Sequence, residues 1–137
     1  MERTGSDAAS LEFSLRYNPP MDPQAAERIL KEAKKILEGL GIEFILYSGI
    51  CLGAVRDNGF IPWDDDIDLL CLNTTDEKGQ PPIDLVAQAF SENGYFVEVL
   101  EASMSTTIIT LKDSIRLSCD FPQIVDGNIY AYPMVAL

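Results

Sequence analysis

Residues 48–70 read SGICLGAVRDNGFIPWDDDIDLL, a glycine-punctuated turn that runs into Asp64, Asp65, Asp66 and Asp68 and then into an apolar strand end. On a β-strand the i and i+2 side chains share a face, so Asp66 and Asp68 project together, about 7 Å apart along the backbone. Two carboxylates so placed repel each other unless a cation lies between them. Hard oxygen donors with open positions describe Mg2+ or Mn2+ carrying substrate phosphates. Upstream, Leu46 to Gly49 reads as a strand end that breaks into a short helix, Ile50 to Asp57, stopped at Asn58-Gly59. A helix N-terminus at Gly49, with bare N–H groups and no side chain in the way, is an anion seat. Gly53 inside that helix costs about 1 kcal/mol relative to Ala, which points to close approach of a ligand or another surface.

On the N-terminal side, Asp22 followed by Pro23 is a helix N-cap with proline in the first turn. Ala26, Ile29, Leu30, Ala33, Ile36, Leu37 and Leu40 keep a helical stripe until Gly41 stops it. Lys31, Lys34 and Lys35 lie off the stripe, on a solvated face. Ile42, Phe44 and Leu46 then alternate as a strand that delivers the chain to Gly49. Residues 1–21, broken by Asn18-Pro19-Pro20, read as an arm or linker, and residues 22–137 as a single domain.

On the C-terminal side, residues 73–82 are polar and loop-like, and a helix is expected from Ile83 to Ser91, ending at Asn93-Gly94. Tyr95 to Leu100 reads as a strand. Thr106 to Leu111 and Ser114 to Phe121 read as a β-hairpin turning at Lys112-Asp113. Ile115, Leu117, Cys119 and Phe121 then take one face, leaving Arg116, Ser118 and Asp120 on the other. Lys112 and Arg116 read as exposed hairpin charges, Arg116 being the better placed for a site. Asp126, beside Gly127, is first a turn signal. Residues 128–137 have room for one more strand.

Composition narrows the function. The chain has 137 residues, 47% of them apolar, which suits one globular domain with a real core. No stretch approaches the ~18 apolar residues of a membrane span, and the first ten residues lack the apolar core of a signal peptide, so a cytoplasmic location is the expectation. A net charge of −12 argues against nucleic acid or an anionic membrane surface as partner. Cys51, Cys71 and Cys119 are widely spaced among apolar neighbours and read as buried thiols. The chain has no His, so a general base must be a carboxylate, or a metal must supply the activation. A calcium loop does not fit: counting from Asp64, the sixth and twelfth positions are Leu69 and Thr75 where Gly and Glu are required.

Gly49, Leu52, Gly53, Ala54 and Arg56, then Gly59, Phe60, Ile61, Pro62, Trp63, Asp64, Asp65, Asp66 and Asp68, match in order the signature of the LicD family. That family comprises bacterial phosphocholine transferases and their relatives, including the fukutin-related ribitol-phosphate transferases. The resemblance covers about residues 22–72. It implies an α/β (α+β) fold, a nucleotidyltransferase-like mixed sheet flanked by helices, in which the glycine turn and the Asp-x-Asp strand end hold a metal-bound nucleotide. Ile50 departs from the pattern, which commonly has Thr or Ser there, so a phosphate-binding hydroxyl would have to come from Ser48. The fold implies a third acid on a neighbouring strand. Cys119-Asp120-Phe121-Pro122 is similar to the Asp-x-Phe-Pro run of relatives, one residue shorter in spacing, and Asp126 is the rival. Relatives usually continue with helical material, so a chain ending at Leu137 is expected to be a trimmed or minimal member.

The resemblance thus implies Asp66, Asp68 and Asp120 as metal and catalytic ligands, with Asp64 and Asp65 either ligating or supporting. Ser48, Gly49, Gly53, Arg56 and Arg116 are the expected substrate contacts, although Arg56 serves equally well as a neutraliser of the aspartates. Trp63 reads as core packing and Gly59 as a cap. The reaction implied moves phosphocholine or a polyol phosphate from a CDP-activated donor to a glycan-type acceptor. A nucleotidyltransferase using NTP and a catalytically weak nucleotide-binding domain share the same site pattern. A glycosyltransferase with an Asp-x-Asp motif ranks last, since its nucleotide-sugar domain needs a longer chain.

Overall fold

Asp22 opens the first helix as the sequence predicts: its Oδ2 accepts from the Ala25 N–H at 3.0 Å, and Pro23 takes the first helical position. Such a cap contributes about 1 kcal/mol. The computed structural model describes residues 20–47, 59, 65–72, 81–101, 105–125 and 128–130. In chain order the elements are α1 (Pro23–Gly39), β1 (Glu43–Tyr47), β2 (Asp66–Leu72), α2 (Ile83–Glu92), β3 (Phe96–Glu101), β4 (Ser105–Lys112), β5 (Ile115–Val125) and β6 (Asn128–Tyr130).

Both described helices stop in the same way. At α1 the Ile42 N–H donates to the Leu37 carbonyl and the Gly41 N–H to the Glu38 carbonyl; at α2 Tyr95 donates to Phe90 and Gly94 to Ser91. This is the Schellman arrangement, and it requires a left-handed residue just past the cap. Gly41 (φ 74°) and Gly94 (φ 86°) provide it. Each stop drives the next residue, Ile42 or Tyr95, into the core and launches a strand. The Tyr95 ring meets Phe90 edge-on at 5.0 Å, which ties the end of α2 to the start of β3.

The strands lie in the order β1-β2-β5-β4-β3, with β6 paired to β5. β2 and β5 run parallel, while β1·β2, β3·β4, β4·β5 and β5·β6 are antiparallel. The sheet is therefore mixed, as expected for an α/β nucleotidyltransferase-like domain. One face is apolar: Ile67, Leu69 and Cys71 of β2, Ile115, Leu117, Cys119 and Phe121 of β5, and Ile108 of β4 are buried against Ala26, Ile29, Ala33 and Leu37 of α1 and Val86 and Phe90 of α2. Both described helices thus pack on that face. Thr110, the polar residue within this layer, is satisfied by donating to the Leu117 carbonyl at 2.9 Å.

The hairpin departs from expectation by one residue. Lys112 pairs with Ile115, so the turn residues are Asp113 and Ser114, not Lys112 and Asp113. Both have positive φ, 53° and 63°, the mirror-type turn that matches strand twist. Lys112 is consequently a strand residue and is not the exposed charge the sequence suggests. Its Nζ lies 2.7 Å from Glu32 Oε1 on α1, donates to the Asn93 carbonyl at 2.8 Å, and stands 5.0 Å above the Tyr95 ring. The buried Tyr95 phenol lies near Glu32 without a hydrogen bond of sound geometry, and burial together with that carboxylate raises its pKa. The predicted helix over 50–57, Cys51, Trp63, most of the loop over 73–82 and Asp126 lie outside the described residues.

Candidate functional site

The alternation that buries Ile67, Leu69 and Cys71 sends Asp66 and Asp68 to the opposite face of β2. On β5 the same alternation sends Arg116, Ser118 and Asp120 to that face, as predicted. The parallel register brings the two sets together: Asp66 lies beside Arg116, Asp68 beside Ser118, and Asp120 beside Leu70. Asp68 and Asp120 therefore sit diagonally on adjacent strands, roughly 8 Å apart at the backbone by strand spacing and rise. Asp120 thus stands on the same face as the Asp-x-Asp pair and on the adjacent strand.

Arg116 is not an exposed hairpin charge. It is 8% exposed, and its Nη2 donates to Asp66 Oδ2 at 3.2 Å while lying 3.8 Å from Asp65 Oδ2. Burial pushes the Asp66 carboxyl above its ordinary value; the guanidinium pulls it down, and the neighbouring Asp65 adds to the rise. Asp120 is also raised by burial, opposed by a hydrogen bond in which Thr107 Oγ1 donates to Oδ1 at 2.6 Å.

Two residues of this face were not anticipated. Tyr47, the last residue of β1, is the register partner of Asp68. Its phenol is raised first by burial and then by the charges of Asp120 and Asp68, so it stays protonated beside Asp68. Thr107 of β4 is the register partner of Asp120. The signal for Tyr47 was present in the sequence: if Phe44 and Leu46 face the core, then Ile45 and Tyr47 face away from it.

The donor set is made of carboxylates, with no imidazole in the chain and with the Cys71 and Cys119 thiols buried on the other face. Such a set fits a hard divalent cation of the Mg2+ or Mn2+ kind and does not fit zinc or copper. Among the described residues no three Asp, Glu, Cys or His side chains converge on one point. The cause is visible: Asp66 is turned onto Arg116, and Asp68 and Asp120 are offset along their strands. Ser48, Gly49, Gly53, Arg56 and Asp64 lie outside the described residues, as does Ile50.

The family described as LicD/FKTN/FKRP, nucleotidyltransferase domain, matches residues 41–115, more than half of the chain. The chain is similar to human ribitol 5-phosphate transferase FKRP, 33% identical over 63 residues, which is 46% of this chain and 13% of that protein. It is also similar to mouse ribitol-5-phosphate transferase FKTN, 48% identical over 44 residues, 32% of this chain and 10% of that protein. The chain thus spans only a small part of the length of these curated relatives.

Proposed function

The chain belongs to the LicD/FKTN/FKRP nucleotidyltransferase-domain family, and on that premise we propose that it transfers a phosphorylated alcohol, of the ribitol phosphate or phosphocholine type, from a CDP-activated donor to a hydroxyl of a glycan-type acceptor. The observation that carries this reading is the single sheet face on which Asp66, Asp68 and Asp120 stand with Arg116 among them.

In such a transfer the acceptor oxygen forms a bond to the phosphorus that bears the alcohol. The bond from that phosphorus to the bridging oxygen breaks, CMP leaves with the electron pair, and the acceptor proton passes to a base. A carboxylate of the trio, Asp120 in this reading, takes that proton. Asp66, Asp68 and Asp120 are the residues that would hold Mg2+ or Mn2+, which supplies charge neutralisation for the diphosphate when bound. Arg116, a planar fork donor, suits phosphate oxygens. The neutral Tyr47 phenol is a hydrogen-bond donor beside Asp68. Among the described residues no helix is long and apolar enough to cross a membrane.

A thermal-shift series with CDP-ribitol, CDP-choline, CDP-glycerol, CTP and a UDP-sugar, each with and without Mg2+, tests the donor class. A Mg2+-dependent shift restricted to CDP-alcohols supports the proposal, and CTP with pyrophosphate release supports nucleotidyl transfer instead. If Asp66→Asn and Asp68→Asn leave both metal binding and CMP release untouched, the proposal is wrong.

A further inference from the structure

Among the described strand residues whose register places them on the acid face, Arg116 is the one that carries positive charge. Its guanidinium cannot shed that charge, and at 8% exposure it is removed from water. It needs acids, and it has them: Asp66 Oδ2 at 3.2 Å and Asp65 Oδ2 at 3.8 Å. Asp66 in turn is largely desolvated and stands next to a second carboxylate in sequence, so it needs a cation. The divalent ion proposed above would seek the same oxygens.

We infer that Arg116 is the resident counter-cation of this site: it neutralises Asp66 in the ion-free protein, competes with the divalent cation for that carboxylate, and is turned toward the donor's phosphates when the cation takes Asp66 over. This rests on the metal reading of the acid face and extends it. The exchange makes the two ligands interdependent. A cation arriving alone takes Asp66 from a buried guanidinium, whereas a cation arriving with a diphosphate brings a replacement anion with it. Metal and nucleotide should therefore strengthen each other's binding, and by linkage the enhancement is reciprocal. Arg116 thus acts on Asp66 in the ion-free protein and on phosphate oxygens once the cation is seated.

The test is calorimetric titration of Mn2+ into the wild-type chain, R116Q and R116K, with and without CDP. Loss of one unit charge at this distance should tighten Mn2+ binding in R116Q roughly tenfold in the absence of nucleotide, and the enhancement by CDP should shrink. R116K, which keeps the charge and loses the fork, should lie between. In EDTA, R116Q should melt below wild type and regain more on adding Mn2+. If R116Q fails to fold, R116K alone decides. Mn2+ binding in the folded variants that is equal to or weaker than wild type overturns the inference while leaving the metal reading intact. Absence of Mn2+ binding in all three chains overturns both.

Discussion

The Thr107 hydroxyl donates a 2.6 Å hydrogen bond to Asp120 Oδ1, and the two residues are direct partners across the β4–β5 pair. The bond runs over the acid face and opposes the burial that raises Asp120. Thr107→Val keeps the branched shape and removes the donor. The Asp120 carboxyl should then titrate still higher, and stability at neutral pH should fall by about 1 kcal/mol. A carboxyl-carbon NMR titration and a melting curve check both; an unmoved Asp120 would show that the contact is incidental.

Ionising Asp120 weakens the ion-free protein. Its folded pKa lies above the ordinary carboxyl value of 3.8, so the folded chain holds that proton more tightly than the unfolded one. The proton's contribution is fully present below pH 3.8 and is lost as pH rises through the folded value. Asp120→Asn should accordingly melt above wild type at pH 7 in EDTA, with the difference closing in acid. A lower melting temperature at pH 7 would contradict this.

Tyr47→Phe isolates the phenol from its ring. Stability should change by no more than about 0.5 kcal/mol, because the half-buried ring remains. If the hydroxyl donates to a charged group of the substrate, kcat/KM for the donor should fall about tenfold with Mn2+ affinity preserved. Equal kcat/KM for both chains would remove Tyr47 from the site.

Lys112→Met addresses the tie between α1 and the hairpin. The lysine bridges Glu32, the Asn93 carbonyl and the Tyr95 ring. Its loss leaves Glu32 without that partner beside a buried phenol, so destabilisation of about 1–3 kcal/mol is expected. Denaturant melts measure it, and a change below about 0.5 kcal/mol would class the bridge with ordinary surface pairs.

Ser114→Gly tests the turn. Asp113 and Ser114 both hold positive φ, where a β-carbon costs about 1 kcal/mol, and Asp-Gly is a favoured pair in this turn type. The variant should be stabilised by up to that amount; a loss of stability would mean that the Ser114 side chain contributes more than its backbone costs.

Short-range signals made much of this fold legible. Asp22-Pro23 fixed the start of α1, and Gly41 and Gly94 marked where both helices yield to strands. Alternation alone put Asp66 and Asp68 on one side of their strand and Arg116, Ser118 and Asp120 on one side of theirs. What a single chain does not carry is the partner of each strand. Nothing local to Ile115–Phe121 says that β5 runs parallel to β2, and without that register Arg116 looks like a surface charge. Lys112 was misread for a related reason: shifting the turn by one residue moved it from a solvated tip into a strand beside Tyr95. Tyr47 lies on the outward side of β1, where apolar alternation gives the face but no signal of a role.

The parallel β2–β5 pairing has a consequence for how the protein is made. Arg116 and Asp66 are 50 positions apart in sequence, and the intervening α2, β3 and β4 must be laid down before β5 can reach β2. Local contacts form early and distant ones late, so the Asp-x-Asp strand waits without Arg116 while the meander assembles. A nascent chain released before β5 emerges would hold Asp66 and Asp68 without Asp120 or Arg116. Docking of β5 is the event that brings Arg116 and Asp120 onto the face that carries Asp66 and Asp68.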